Sequence, residues 1–243
     1  MEVIMKKFIY LLPTLSLFLA LIFITNCAYA TENTTPEEKT VYLTFDDGPT
    51  PKITEELLDI LKENDVKATF FIVGKEIKGR EAILKRIYEE GHGIGLHTYS
   101  HDFKKIYQSA DAFIDEMDQD LNAINEALGT SLDIKAIRFP GGSAGRLTKQ
   151  WLEALNQKGY QIYDWNVDLE DGIKGNLAPS EFVRNAKKFR DKSPRKIILA
   201  HCNSNNKNTC CALPEIIKYY KEQGYTFKII DNTTPPYYYR IKQ

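Results

Sequence analysis

Apolar and polar residues follow two different spacings that alternate along most of this chain. Runs such as Val41–Phe45 and Lys196–Ala200 are short and largely apolar, which is typical of buried strands. Segments such as Lys52–Asn64 instead repeat apolar residues every three or four positions, as one face of a helix does. Gly129 and Gly224 each follow a helical segment and indicate where it ends.

The same two patterns divide the rest of the chain into strands and helices. The predicted strands are Val41–Phe45, Ala68–Val73, Ile94–Leu96, Ile134–Phe139, Tyr160–Val167, Lys196–Ala200 and Thr226–Ile230. The predicted helices are Lys52–Asn64, Glu76–Glu90, Ser109–Leu128, Leu147–Lys158, Pro179–Arg190 and Leu213–Gln223. Strict alternation predicts parallel strands joined by crossover helices. About seven such units in one α/β domain indicate a closed or nearly closed barrel, with an open doubly wound sheet as the alternative.

The N-terminus has the pattern of a targeting segment. Lys6 and Lys7 precede the apolar stretch Phe8–Ile24, and Ala28-Tyr29-Ala30 follows as a small-x-small cleavage signal. This pattern predicts a signal peptide over residues 1–30, a polar linker over 31–39 and one folded domain over 40–243. An uncleaved anchor is the alternative, since about 17 apolar residues just span a bilayer. We therefore expect an exported protein, attached to a membrane only if this segment is retained.

Composition and charge exclude some partners. The chain has 243 residues, 43% of them hydrophobic and 27% charged, as in globular proteins. Lys and Arg number 32 against 33 Asp and Glu, so the net charge of −1 gives no reason to expect a nucleic-acid partner. Three cysteines follow the predicted leader, namely Cys202, Cys210 and Cys211. A disulfide or free thiols are favoured over a metal-binding role.

Polar residues stand at the ends of five predicted strands. They are Asp46 and Asp47, His97, Arg138, Asp168 and Asp171, and His201. Because the carboxyl ends of parallel strands gather the functional residues of α/β folds, these side chains are predicted to converge on one rim. Two imidazoles and one carboxylate would hold a divalent metal and leave a coordination position open, as catalytic sites do. A spare Asp and a spare His would remain as base and acid of a hydrolase.

Several of these motifs, in this order, resemble those of a known family. Thr44-Phe45-Asp46-Asp47-Gly48-Pro49, His97-Thr98-Tyr99-Ser100-His101, Arg138-x-Pro140 and Leu199-x-His201 are similar to motifs of the polysaccharide deacetylases, the NodB-homology enzymes of carbohydrate esterase family 4. The resemblance covers about Val41 to Ile230. It implies a single distorted (β/α) barrel and metal-dependent hydrolysis of N-acetyl or O-acetyl groups on sugars.

The resemblance also implies a role for each motif residue. Asp47, His97 and His101 would hold the metal, usually zinc, with cobalt or another divalent ion as alternatives. Metal-bound water would attack the acetyl carbonyl, with Asp46 as the general base and His201 as the general acid. Arg138 would hold the base, and Asp171, or alternatively Asp168, would orient His201.

Three positions depart from the pattern of the family. Gly141 stands where an aromatic residue is often found, Gly172 follows Asp171 where Trp is common, and Cys202 follows the last His where Asp is frequent. These departures bear on substrate preference more than on activity. The candidate residues for substrate contact are Pro140, Gly141, Trp165 and Leu199.

These observations favour an exported metal-dependent deacetylase whose partner is a glycan polymer. Cell-wall peptidoglycan is the favoured substrate, with N-acetylglucosamine as the unit that is deacetylated. Alternatives within the enzyme class are O-acetylated xylan and chitin oligomers. A different class, a catalytically silent glycan-binding module, also fits the altered Gly141 and Gly172 positions.

Overall fold

The computed structural model describes residues 38–174 and 176–241, so the predicted leader and nearly all of the predicted linker lie outside the described residues. The strands are β1 (Thr40–Gly48), β2 (Thr69–Ile72), β3 (Gly93–Leu96), β4 (Ala136–Ile137), β5 (Gln161–Ile162), β6 (Val167–Asp168), β7 (Arg195–His201) and β8 (Thr226–Phe227). The helices are α1 (Ile53–Glu63), α2 (Glu81–Glu89), α3 (Phe103–Ile106), α4 (Ala110–Leu128), α5 (Lys149–Gln157), α6 (Pro179–Ala186) and α7 (Lys207–Glu222). No helix in these ranges is long and apolar enough to cross a membrane.

The strands form one parallel sheet, which curls into a half-barrel. Seven of them follow the order β5-β4-β3-β2-β1-β7-β6. The central strand β1 pairs with β7 along its length, and on its other side with β8 at Thr40–Val41 and with β2 from Thr44 onward. The predicted distorted (β/α) barrel of about seven units is confirmed, and the open doubly wound alternative is wrong.

One predicted strand, Tyr160–Val167, is wrong as a single element. It is divided between β5 and β6, which lie at opposite ends of the strand order and leave the seam of the half-barrel between them. Between the two strands, polar side chains bond to other segments: the Asp164 carboxylate accepts from the Ser143 N–H at 2.9 Å, and the Asn166 side-chain carbonyl accepts from the Ile197 N–H at 2.8 Å.

Several helices also differ from the predictions. The helix predicted over Glu76–Glu90 is a 3₁₀ turn at Gly74–Glu76 followed by α2, because Gly79 adopts a positive φ of 78° between them. Helix α7 begins six residues before the predicted Leu213 and continues through Pro214. The short helix α3 was not predicted, and its N-terminus is capped by the side chain of Asp102.

The two faces of the sheet bury different sets of side chains. On β1, the side chains of Val41, Leu43 and Phe45 pack in the large core between sheet and helices. Alternate residues point to the concave face, where Tyr42 joins a smaller cluster that includes Phe71. Thr44 and Asp46 lie two and four residues beyond Tyr42, so their side chains point to the same concave face. The period-two pattern of the strand therefore carries a carboxylate to the concave face.

A glycine on β3 makes room for an aromatic ring at the concave face. A Cβ added to Gly95 would lie 2.4 Å from the ring of Phe71 on the neighbouring strand. The guanidinium carbon of Arg138 lies 4.1 Å from the centroid of that same ring. Gly95 therefore allows Phe71 to form the surface on which Arg138 stacks.

We predict that Gly95→Ala lowers the free energy of unfolding by about 1–3 kcal/mol, because the new methyl group must displace the Phe71 ring in a packed interior. Denaturant unfolding of Gly95→Ala, of Phe71→Leu and of the double variant measures this effect. The double variant should lose less than the sum of the two single losses, since the smaller side chain relieves the clash. Strictly additive losses would contradict this account.

Candidate active site

Two adjacent carboxylates at the end of β1 have different environments. Asp46 is almost fully buried on the concave face, whereas Asp47 is partly exposed and adopts a positive φ of 75°. This left-handed backbone turns consecutive side chains to different sides of the rim. One acid is thereby held within the protein, and the other faces the histidines of the second motif.

Arg138 satisfies the buried charge of Asp46. Its Nη1 donates to Asp46 Oδ1 at 2.8 Å and to Thr44 Oγ1 at 2.6 Å, and its Nε donates to the Tyr163 carbonyl at 2.7 Å. The arginine side chain is completely buried. A buried charge is stable only beside a partner of opposite charge, and the predicted holding contact between Arg138 and Asp46 is present in the structure.

Asp47, His97 and His101 converge at the rim. Asp47 Oδ1 lies 3.5 Å from His97 Nε2 and 3.3 Å from His101 Nε2, and one ligand atom from each residue lies within 4.8 Å of the others. His97 Nδ1 lies 2.9 Å from the Arg138 carbonyl, which can only accept. The proton of His97 is therefore on Nδ1, and the Nε2 lone pair faces the other ligands.

The charge state of this cluster also suits a cation. Burial would raise the pKa of Asp47, but the close approach of His97 and the nearby His201 and His101 outweigh burial and hold the pKa well below its ordinary value. Burial and the neighbouring His97 lower the pKa of His101, so its imidazole is more readily neutral. A carboxylate and two imidazole nitrogens that converge in this way are a donor set that fits a divalent metal.

Helix α4 anchors the backbone of the loop that carries both histidines. Asp120 Oδ2 accepts from the His97 N–H at 2.9 Å, and Glu116 Oε2 accepts from the Ser100 N–H at 2.6 Å. The Glu116 carbonyl accepts from the Tyr99 N–H at 3.1 Å. Sequence analysis missed both acids. The available signal was their four-residue spacing on the otherwise apolar face of an amphipathic helix.

His201 is oriented by Asp171. The imidazole Nδ1 lies 2.8 Å from Asp171 Oδ1, and the His201 N–H donates to Asp171 Oδ2 at 3.0 Å. Burial would lower the pKa of His201, but the hydrogen bond and charge of Asp171, with the charges of Asp46 and Asp47, raise it to about 9. Asp168, the alternative orienting residue, instead accepts from Trp165 Nε1 at 3.0 Å.

An open cleft of about 330 Å³ connects these groups. Its lining residues are Asp46, Asp47, His97, His101, Phe103, Gly141, Trp165, Asp168, Glu170, Gly172, Ile173, Leu199 and His201. Three of the four candidate substrate-contact residues are therefore in the lining. The fourth, Pro140, is buried outside it, where its carbonyl accepts from Tyr107 Oη at 2.7 Å.

The two departures at glycine have structural explanations. A Cβ at Gly172 would lie 2.4 Å from the His201 ring, so a side chain there would displace the imidazole in its present position. A Cβ at Gly141 would lie 3.3 Å from the ring of Phe103, which also packs edge-on against His101 at 5.4 Å between centroids. Phe103, supplied by α3, is therefore the aromatic wall beside Gly141.

The three cysteines of the domain are free thiols. Cys202 is buried behind the first motif, where its Sγ lies 3.2 Å from the Asp46 carbonyl. Cys210 is also buried, and Cys211 is exposed. None of them belongs to the metal-binding group found among the described residues.

Comparison with known proteins agrees with this site. The family model described as polysaccharide deacetylase matches residues 33–163. The chain is 35% identical over 196 residues to a peptidoglycan-N-acetylglucosamine deacetylase of Bacillus cereus. The aligned region covers 79% of this chain and 69% of that protein. A family 4 carbohydrate esterase of Streptococcus mutans superposes with a TM-score of 0.74 at 32% identity, covering 80% of this chain and 87% of the other. A Bacillus cereus polysaccharide deacetylase gives a TM-score of 0.71 at 33% identity, with coverages of 80% and 93%.

The chain therefore belongs to the polysaccharide deacetylase family. The predictions that the chain is a member of this family, that it is an enzyme and that it is a hydrolase are confirmed. The arrangement of Asp47, His97 and His101 fits the divalent metal expected from the motifs.

We predict that Asp120→Ala weakens binding of a divalent metal about 10- to 100-fold, because the His97 backbone loses the acceptor that positions its imidazole. Competition with a chromophoric chelator measures this affinity. Asp120→Asn keeps an acceptor oxygen and should retain most of the affinity. Asp115→Ala, on an exposed position of the same helix, is the matched control. Wild-type affinity in Asp120→Ala would show that α4 does not position the ligand.

Proposed function

We propose that the protein is an exported, zinc-dependent deacetylase that removes the N-acetyl group from N-acetylglucosamine in peptidoglycan. The observation that carries this proposal is the convergence of a three-ligand metal group, Asp46 and His201 on one cleft. The relative from Bacillus cereus named above supports peptidoglycan as the polymer. Two imidazoles with one carboxylate favour zinc, and the leader pattern over residues 1–30 supports export.

In this proposal Asp47, His97 and His101 would hold the metal, and their convergence supports that role. When bound, a divalent cation there supplies Lewis acidity that polarises an acetyl carbonyl and acidifies water. The protein itself must then move two protons and support the negative charge that develops on the carbonyl oxygen.

Asp46 is the proposed general base. Its Oδ1 is occupied by Arg138 at 2.8 Å, while Oδ2 lies 3.7 Å from His97 Nε2, on the side of the metal ligands. Oδ2 is thus the oxygen available to take a proton from the attacking water. Because Asp47 rather than Asp46 lies within the ligand group, the base is not consumed in coordination.

His201 is the proposed general acid. The new bond between water oxygen and acetyl carbon forms as Asp46 accepts a proton, and the carbon–nitrogen bond breaks as His201 donates one to the sugar amine. Acetate and the free amino sugar are the products. Asp171 holds Nδ1 of His201, which leaves Nε2 as the donor atom facing the cleft.

A backbone donor is available for the developing oxyanion. Gly141 lines the cleft with a positive φ of 72°, and its N–H donates to no acceptor within residues 38–174 and 176–241. A free N–H on a rigid turn stabilises charge that appears only as the reaction proceeds. We assign this N–H to the carbonyl oxygen of the acetyl group.

We predict that Asp46→Asn lowers kcat about 10²- to 10⁴-fold while the bound metal is retained, since an amide cannot accept the water proton. His97→Ala should lose both metal and turnover, because it removes a ligand. Acetate release from N-acetylglucosamine oligomers and peptidoglycan, measured with metal content on the same samples, tests both. Wild-type turnover in Asp46→Asn would refute the assignment of the base.

We predict that Asp171→Asn moves the alkaline limb of the kcat/KM profile to lower pH. His201 acts when protonated, and Asp171 keeps its pKa near 9, so the acid form persists through neutral pH. Loss of the negative charge lowers that pKa, and the acid form is then lost earlier as pH rises. Asp168→Asn is the matched control and should leave the limb in place. An unchanged limb in Asp171→Asn, with activity retained, would contradict the role of Asp171.

A further inference from the structure

A second cavity, also of about 330 Å³, adjoins the metal-ligand group. It shares only Asp47 and His101 with the cleft described above. Its other lining residues are Thr50, Val73, Lys75, Glu76, Arg80, Asn203 and Ser204. The first cleft has aromatic and aliphatic walls, whereas this cavity is lined mainly by polar and charged groups. A polymer that presents its acetyl group at the ligands would extend into both.

One cation of this cavity lacks a partner. Arg80 is paired with Glu76 and also donates to the Pro49 carbonyl at 3.0 Å. Lys75 forms no ion pair or side-chain hydrogen bond with any residue in 38–174 or 176–241. Because Arg80 and Glu76 neutralise one another and Asp47 belongs to the metal-ligand group, Lys75 is the cation of this lining that is left without a counter-ion.

The backbone of Lys75 is tied to the loop that carries the histidines. The Lys75 N–H donates to the Tyr99 carbonyl at 2.9 Å, and the Gly74 N–H donates to the Thr98 carbonyl at 3.2 Å. A Cβ at Gly74 would lie 2.6 Å from the Tyr99 ring, so the two segments are in direct contact. The position of Lys75 beside the metal ligands is therefore set by the fold.

We propose that this second cavity binds a carboxylate carried by the unit next to the one that is deacetylated, with Lys75 as its counter-ion. This inference rests on the proposed function and refines its substrate class. A single unpaired ammonium beside Glu76 and Asp47 suits a monoanion better than a phosphate dianion. Peptidoglycan supplies such groups in its stem peptides, and in the lactyl ethers of units that carry no peptide, while chitin and xylan backbones have none.

Lys75 contributes to specificity rather than to chemistry. Its amine is solvent-exposed, so its contact with a carboxylate is partly screened and depends on salt. The contact forms when the strand binds and is unchanged as the acetyl group reacts. Its loss should therefore raise KM without lowering kcat.

The test compares three substrates with the full-length protein. These are neutral N-acetylglucosamine oligomers, peptide-free glycan strands with lactyl carboxylates, and strands that carry stem peptides. Lys75→Gln should raise KM about fivefold on the carboxylate-bearing strands and leave kinetics on the neutral oligomers unchanged. Lys75→Arg should retain the wild-type preference. The control Lys78→Gln removes an exposed lysine outside the cavity lining and should change nothing.

The outcomes separate this inference from the proposed function. An effect on peptide-free strands assigns the lactyl carboxylate, and an effect confined to peptide-bearing strands assigns the stem peptide. The inference is wrong if Lys75→Gln changes KM equally on charged and neutral substrates, or changes it on neither. In both cases acetate release by the protein still supports the proposed function. Calorimetric binding of the same strands gives a second readout that does not require turnover. If wild type and Lys75→Gln bind the charged strands equally, the inference is wrong even where no acetate is released.

Discussion

The buried ion pair between Arg138 and Asp46 is the interaction on which the rest of the site depends. Two opposite charges removed from water are stable only when their remaining hydrogen-bonding groups are largely satisfied. Arg138 obtains its partners from Asp46 and Thr44 on β1 and from Tyr163 beyond β5. In the strand order, β4 and β1 are separated by two strands, or roughly 14 Å of sheet. The curl of the half-barrel lets the arginine reach across the concave face.

The same pair organises the chemistry around it. The Arg138 side chain holds Asp46, the proposed base, while its carbonyl accepts from His97 Nδ1 and so sets the tautomer of a candidate metal ligand. Asp171 orients His201 in a similar way, through the contact of its carboxylate with Nδ1 of the imidazole. Asp46, His97 and His201 thus each have a fixed hydrogen-bond partner at the cleft.

The sequence predicted those parts of the structure that depend on local pattern. Alternation of strands and helices identified the barrel, and polar residues at strand ends identified the rim, because both follow from the geometry of parallel sheets. Contacts between distant segments were not predictable in this way. The acids of α4, the aromatic wall formed by Phe103 beside Gly141 and the break within Tyr160–Val167 each depend on partners 16 to 38 positions away. Only the folded arrangement shows that Phe103 stands beside Gly141.

The most direct test of the central claim is acetate release by the full-length protein before and after removal of metal with a chelator. N-acetylglucosamine oligomers, peptidoglycan and acetylated xylan are assayed in parallel, with zinc or cobalt added back. The account predicts release from N-acetylated substrates that is lost with chelator and restored by metal, and is greatest on peptidoglycan. No release from any substrate by folded protein with metal bound would contradict it and would favour a glycan-binding module.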